Sequence, residues 1–144
     1  MEALRTTSRT TITVVGAVII WVSLACGYWL TAGGDNDYRG WVITSVISTL
    51  ILVAMMFRFV PATESETENN APARRALVLG IVAFLTTAVF WTGLPIALGI
   101  PALVLSAEGR ARSATQGHGG EATAGAVLAA FAVVASVVVL VAGV

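Results

Sequence analysis

The sequence contains few side chains of the types that catalyse reactions or bind metal ions, and these are not clustered in the sequence. The chain contains one histidine, His118 in the run QGHGGE, and one cysteine, Cys26. A metal site needs several converging ligands, and acid–base catalysis needs a pair of positioned groups. Neither the phosphate-binding pattern GxxxxGK(S/T) nor the dinucleotide-binding pattern GxGxxG is present. We therefore expect no catalytic site, no metal site and no cofactor, and a protein that is not an enzyme.

The single cysteine lies in the run SLACG, near the end of the first apolar segment. This run resembles the sequence that precedes a lipidated cysteine after a signal peptide. It departs from that pattern at Ser23, where a large aliphatic residue is expected. We interpret Cys26 as a small buried apolar side chain, with lipidation as the alternative.

The charged residues lie outside the deep parts of the apolar segments. Eight Arg, no Lys and eight acidic residues give a net charge of zero, so the chain lacks the positive surface typical of a nucleic-acid-binding protein. Pumps and proton-coupled carriers usually keep an ionisable side chain inside the membrane, and none is found here at such a position. The sequence therefore argues against a nucleic-acid partner and against active transport.

Hydroxyl side chains cluster on one side of the second apolar segment. At 100 degrees per residue they occupy an arc of roughly 140 degrees on a helix. These residues are Thr44, Ser45, Ser48 and Thr49. They could line the path of a passive channel or facilitator, or they could bond to a backbone carbonyl one turn back or to a facing helix.

Small residues recur at helical spacing in the last apolar segment, as is typical of helices that pack closely in membranes. This predicted helix-packing seam consists of Gly125, Ala129, Ala132, Ser136 and Gly143. Ala76 with Gly80 forms a shorter piece of the same kind. The seam could pack within one chain or between chains.

The composition is that of an integral membrane protein. Hydrophobic residues make up 57% and charged residues 11% of the 144 residues, and the mean hydropathy is +0.88. We expect an all-α bundle of five spans, at about residues 12–30, 41–60, 76–92, 95–107 and 124–144. Residues 61–75, PATESETENNAPARR, offer no apolar face, so we expect a disordered linker there.

The uncharged run at residues 76–105 determines the number of spans. One straight helix of this length would measure about 45 Å, well beyond the roughly 30 Å hydrocarbon thickness of a bilayer. Gly93 can adopt a left-handed turn and Pro95 can open a new helix, so we predict a hinge between two helices. Pro101 should kink the second of them. The alternatives are one long kinked helix, giving four spans, or a re-entrant hairpin.

Arginine distribution favours five spans with a cytoplasmic N-terminus. Cytoplasmic loops carry an excess of Arg and Lys. Five spans put seven of the eight arginines on the side of the N-terminus and only Arg39 on the other, whereas four spans give five against three. The C-terminus would then lie outside. We interpret Arg58 as an anchor that reaches the headgroups, and we expect the mid-membrane Trp21 to find a partner for its N–H on a neighbouring helix.

The second half of the chain, from Arg75 onward, resembles a family of small bacterial membrane domains of unknown function. The likeness rests on a Gly-bearing hydrophobic hairpin (ALVLG and PIALGIPALVL), an Arg-rich turn (EGRARS) and a Gly/Ala-rich helix (TAGAVLAAF). It implies a three-helix unit with short spans and implies no activity. The chain has alanines where this pattern has further glycines.

These observations predict a small multi-pass protein of a bacterial-type cell membrane. Its expected surroundings are the lipid bilayer and either a membrane protein partner or further copies of itself. The expected role is that of an accessory or interaction subunit of a membrane complex, and the alternative is the passive channel along the second helix.

Overall fold

The computed structural model describes residues 9–31, 38–65, 70–88 and 93–142, and these are almost entirely helical and contain no strand. Five helices are long and apolar enough to cross a membrane, which confirms the predicted all-α bundle of five spans. The elements are α1 (Arg9–Thr31), α2 (Tyr38–Ala54), α3 (Val60–Glu64), α4 (Ala71–Leu85), α5 (Leu94–Gln116) and α6 (Gly119–Ala142). A π-helical turn, Met55–Phe59, joins α2 to α3, so that these elements form a single span.

The uncharged run at residues 76–105 is divided into two helices. Gly93 has a φ of 76°, a left-handed conformation that costs little only for glycine, and Pro95 lies in the first turn of α5. A 3-10 turn at residues 86–88 follows α4. The 23 residues of α5 make a helix of roughly 34 Å, and by length and composition it is a candidate span in its own right. The structure therefore differs from the single long helix, and its described residues form five helices that by length and composition could each cross a membrane.

The fourth span is longer than the predicted residues 95–107. Helix α5 contains Pro101 and continues through the charged run to Gln116, and α6 begins three residues later. Gly109 does not end the helix because it is a point of close packing, where an added Cβ would come within 2.6 Å of Ala73 Cα. The pair Glu108 and Arg112, four residues apart, further supports the helix.

The predicted disordered linker at residues 61–75 is also corrected. The second span continues through Pro61 to Glu64, and α4 begins at Ala71. The wide π-helical turn ends at Phe59, two residues before Pro61, and it accommodates the proline, whose missing N–H breaks the α-helical bonding pattern. At the other end Pro72 occupies the first turn of α4, which requires no N–H. Residues 66–69 lie outside the described residues.

The three C-terminal helices pack more extensively with one another than with α1 or α2. Helices α4 and α6 also approach closely, since an added Cβ on Gly80 would be 2.7 Å from the carbonyl oxygen of Gly125. An added Cβ on Gly125 would in turn be 2.7 Å from the backbone of Ala76. Because these glycines lack side chains, the two backbones come into van der Waals contact.

The α1–α2 hairpin packs on this three-helix unit through narrow strips. On the second span the fully buried side chains follow one stripe: Ser45, Ser48, Leu52, Met56 and Val60. Only 22% of the span Arg39–Glu64 is buried, against 61% of the span Leu94–Gln116. Most of the surface of the second span is therefore open to lipid or to another protein.

Candidate functional site

Five helix ends meet at one end of the bundle and bring the arginines together. They are the first residues of α1, α4 and α6 and the last residues of α3 and α5, as the hydrogen bonds between them show. The described arginines of this end are Arg9, Arg58, Arg74, Arg75, Arg110 and Arg112. Arg39 lies in the first turn of α2 at the opposite end, and Arg5 lies outside the described residues.

A polar clamp, defined here as Arg9, Glu64, Glu108 and Arg112, connects three helices at this end. Arg9 donates from Nη2 to Glu64 Oε2 at 2.6 Å, which joins α1 to α3. Arg112 donates from Nη2 to the carbonyl oxygen of Glu64 at 2.6 Å and from Nε to Glu108 Oε1 at 3.0 Å. The side chains of Arg9 and Glu64 are 37% and 28% exposed, so solvent screens this ion pair. The clamp therefore orients the α1–α2 hairpin more than it stabilises the fold.

Asn70 connects the start of α4 to the end of α5 through hydrogen bonds. It is fully buried, and its φ of 48° is left-handed, a conformation that asparagine tolerates better than most residues. Its Nδ2 donates to the carbonyl oxygens of Gly109 and Gly117, both at 2.8 Å. Its backbone N–H donates to Gln116 Oε1 at 3.1 Å. Within the described residues Oδ1 has no hydrogen-bond partner.

The roles of Asn70 and Glu64 are not among the sequence-based predictions, because both residues lie in the predicted linker. One signal could have found Asn70, since an asparagine two residues before a proline is typical of the position that precedes a helix. No signal in the sequence indicates the clamp, because its partners are 48 and 55 residues apart.

Arg75 is held in place from the side of the second span. Its Nη1 donates to Thr63 Oγ1 at 2.8 Å. Its guanidinium carbon lies 5.6 Å from the centre of the Phe59 ring, within the range of a cation–π interaction. The guanidinium orientation is therefore fixed by α3 and the π-helical turn.

A cleft of about 390 Å³ lies between the first turns of α4 and α6. It is lined by Ala71, Arg74, Arg75, Leu77, Val78 and Glu121. Arg74 is exposed, and its side chain has no partner within the described residues. Glu121 Oε1 is 3.1 Å from Nδ1 of His118, which lies in the α5–α6 turn. We refer to this feature as the arginine cleft.

A second groove, of about 320 Å³, opens between α1 and α5 and is lined almost entirely by carbon atoms. Thr11, Val15 and Ile19 of α1 face Ile100 and Leu103 of α5 across it. It offers no charged or hydrogen-bonding group below the first turn of α1, so its surface suits hydrocarbon.

The predicted hydroxyl path lies on the buried side of α2. Ser45 and Ser48 are fully buried, whereas Thr44 and Thr49 are partly exposed. Thr49 Oγ1 accepts the indole N–H of Trp21 at 2.9 Å, which confirms the prediction that Trp21 finds a partner on a neighbouring helix. The Oγ of Ser45 has no partner within the described residues. The channel along these hydroxyls stays a prediction.

The helix-packing seam faces the inside of the bundle. Gly125, Ala129, Ala132 and Ser136 are all buried, and Gly143 lies outside the described residues. Gly125 packs on α4, and an added Cβ on Gly99 of α5 would meet the carbonyl of Ala129 at 3.2 Å. These small residues therefore serve contacts within one chain.

The described residues hold no group of three or more His, Cys, Asp or Glu side chains that could bind a metal ion. Cys26 is partly exposed. Comparison with family models, with curated proteins and with solved structures finds no match to this chain. The arginine-rich end, with its clamp and its cleft, is the described region in which charged and polar side chains converge.

Proposed function

We propose that this chain is an accessory or interaction subunit of a membrane complex, in which the second span contacts a partner within the bilayer. The observation that carries the proposal is the low burial of that span, 22% over Arg39–Glu64. The partner is another membrane protein or a second copy of this chain.

The exposed face of the second span is continuous and apolar. It consists of Ile43, Val46, Ile47, Leu50, Val53 and Phe57, between 38% and 62% exposed. Helices associate in lipid through close van der Waals packing and a few polar contacts, because no hydrophobic force separates them from the acyl chains. Exposed Arg58 at the end of this face offers a polar contact to a partner. The second span has the lowest buried share of the five, 22% against 28% for α1 and for α6, and the three C-terminal helices pack mainly on one another.

Site-specific photocrosslinking tests the proposal. A photoreactive residue at Leu50, which is 62% exposed, should give a protein adduct in native membranes. The matched control is Val134 on α6, which is 59% exposed and should crosslink to lipid alone. Lipid adducts at both positions, with no protein adduct at Leu50, would contradict the proposal.

We further infer that the protein resides in a bacterial-type cell membrane with its arginine-rich end in the cytoplasm and its C-terminus outside. The grouping of six described arginines at one end supports this orientation, because cytoplasmic loops are enriched in Arg. A reporter active only outside the cell should give signal when fused after the last residue. Signal from a reporter that is active only in the cytoplasm, fused at the same position, would show that the orientation is the opposite one.

Passive conduction along α2 is the second candidate, and the buried unpartnered hydroxyl of Ser45 favours it. A buried hydroxyl without a partner is a place where water can bind. Ser45→Ala removes the hydroxyl without adding bulk, so it should lower water or glycerol flux in liposomes. Equal flux through the variant and the parent would remove this candidate.

A further inference from the structure

We propose that the arginine cleft binds the headgroup of an anionic phospholipid, with the phosphate at the two arginines and the glycerol and upper acyl chain on the apolar wall. The cleft combines Arg74 and Arg75 with Leu77 and Val78 in a volume of about 390 Å³. Small-molecule sites begin at roughly 300 Å³. The proposal does not depend on the partner of the second span.

The two arginines are suited to a phosphate in different ways. Arg75 is oriented before any ligand arrives, because Thr63 Oγ1 and the Phe59 ring hold its guanidinium from outside the cleft. Arg74 is exposed and has no side-chain partner within the described residues, so no existing ion pair must break. Guanidinium groups bind phosphate oxygens through charge-assisted, often bidentate hydrogen bonds.

The order of the charged and apolar parts of the cleft favours a lipid over a free phosphate. Val78 lies one helical turn, about 6 Å, beyond Arg74 toward the hydrocarbon, and it is 60% exposed. The charged and the apolar parts of the cleft are thus arranged in the same order as the phosphate and the acyl chains of a lipid. A free phosphate would use only the charged part.

The carboxylate of Glu121 affects which headgroup charge the cleft would favour. Glu121 offsets part of the positive charge that Arg74 and Arg75 bring to the lining, which favours a headgroup with one negative charge over one with two. The carboxylate would repel the second charge of a phosphomonoester, and it can accept a hydrogen bond from a headgroup hydroxyl. The lining therefore favours a phosphodiester that carries hydroxyls, such as phosphatidylglycerol, over phosphatidic acid.

Native mass spectrometry of the purified full chain with defined lipids tests the proposal. The parent should retain phosphatidylglycerol in preference to phosphatidylcholine. Arg74→Gln should weaken retention about fivefold, the factor expected from about 1 kcal/mol for one arginine near the membrane surface. Arg58→Gln is the matched control, because Arg58 is exposed at the same end but does not line the cleft, and its retention should equal that of the parent. Equal losses in the two variants, or equal retention of the two lipids, would overturn the proposal.

Two further measurements separate the lipid from other anions. Inorganic phosphate in large excess should leave phosphatidylglycerol bound, and displacement would assign the cleft to a free anion. Glu121→Gln should raise retention of phosphatidic acid at pH 8 relative to phosphatidylglycerol. An unchanged ratio would overturn the assignment to a phosphodiester. Arg74 is exposed, and equal melting temperatures of Arg74→Gln and parent will show that the fold is intact.

Discussion

Replacing Gly125 by alanine should destabilise the protein, because the added methyl has no room between α4 and α6. The new Cβ would lie 2.7 Å from both the carbonyl carbon and the carbonyl oxygen of Ala76, and 2.8 Å from the backbone nitrogen of Leu77. Carbon atoms in ordinary contact are about 3.5 Å apart or more, so the helices must separate locally by about 0.8 Å. All three atoms belong to the backbone, which cannot rotate away as a side chain could.

The expected loss follows from two opposing terms. Overpacking a core costs about 1–3 kcal/mol, and alanine returns up to about 1 kcal/mol through its higher helix propensity. Gly120→Ala is the matched control on the same helix, because an added Cβ there meets nothing within 4 Å. That control should gain up to about 1 kcal/mol. The two variants should therefore differ by about 2 kcal/mol.

Thermal or denaturant unfolding of the monomer in one detergent measures this difference. The monomeric state must be checked for each variant, since a seam between chains would change association instead of monomer stability. A Gly125→Ala protein within about 0.5 kcal/mol of the control, which is the usual scale of surface substitutions, would refute the close packing of α4 on α6.

Three further predictions concern polar contacts between helices. Asn70→Ala should cost about 2–4 kcal/mol in unfolding free energy, because the buried carbonyl of Gly109 and the carbonyl of exposed Gly117 lose their donor and a left-handed φ passes to a residue that disfavours it; a loss below about 1 kcal/mol would contradict this role. Trp21→Phe and Thr49→Val should show a coupling of about 0.6–1.7 kcal/mol in a double-mutant cycle, and additive effects would rule out their hydrogen bond. Arg9→Gln should cost at most about 1 kcal/mol because its ion pair is partly exposed, and a markedly larger loss would show that the clamp contributes to folding itself.

The fold class and the hinge could be predicted from the sequence because both depend on local properties. Span number follows from hydropathy and length, and the division of the central run follows from the backbone freedom of Gly93 and the missing N–H of Pro95. The pairing of Trp21 could also be predicted, since a buried indole N–H needs an acceptor.

The helix ends and the arginine-rich end could not be predicted in the same way, because they depend on contacts between residues far apart in the chain. Helix α5 continues past the predicted end because Gly109 packs against Ala73, 36 residues earlier. Asn70 bonds to residues 39 and 47 positions away. Composition alone made residues 61–75 and 108–116 resemble solvated loops, whereas residues 61–64, 71–75 and 108–116 are helical in the described structure.

Two-sided cysteine labelling tests the central claim of five spans most directly. In a Cys26→Ser background, Ala114→Cys near the end of α5 and Ala142→Cys at the end of α6 are both exposed positions. With a membrane-impermeant reagent on intact cells, Ala142→Cys should be labelled, and Ala114→Cys should be labelled only after the membrane is opened. Labelling of Ala114→Cys but not of Ala142→Cys on intact cells would fit four spans, and labelling of both from the same side would show that α6 does not cross; either result would contradict the five-span account.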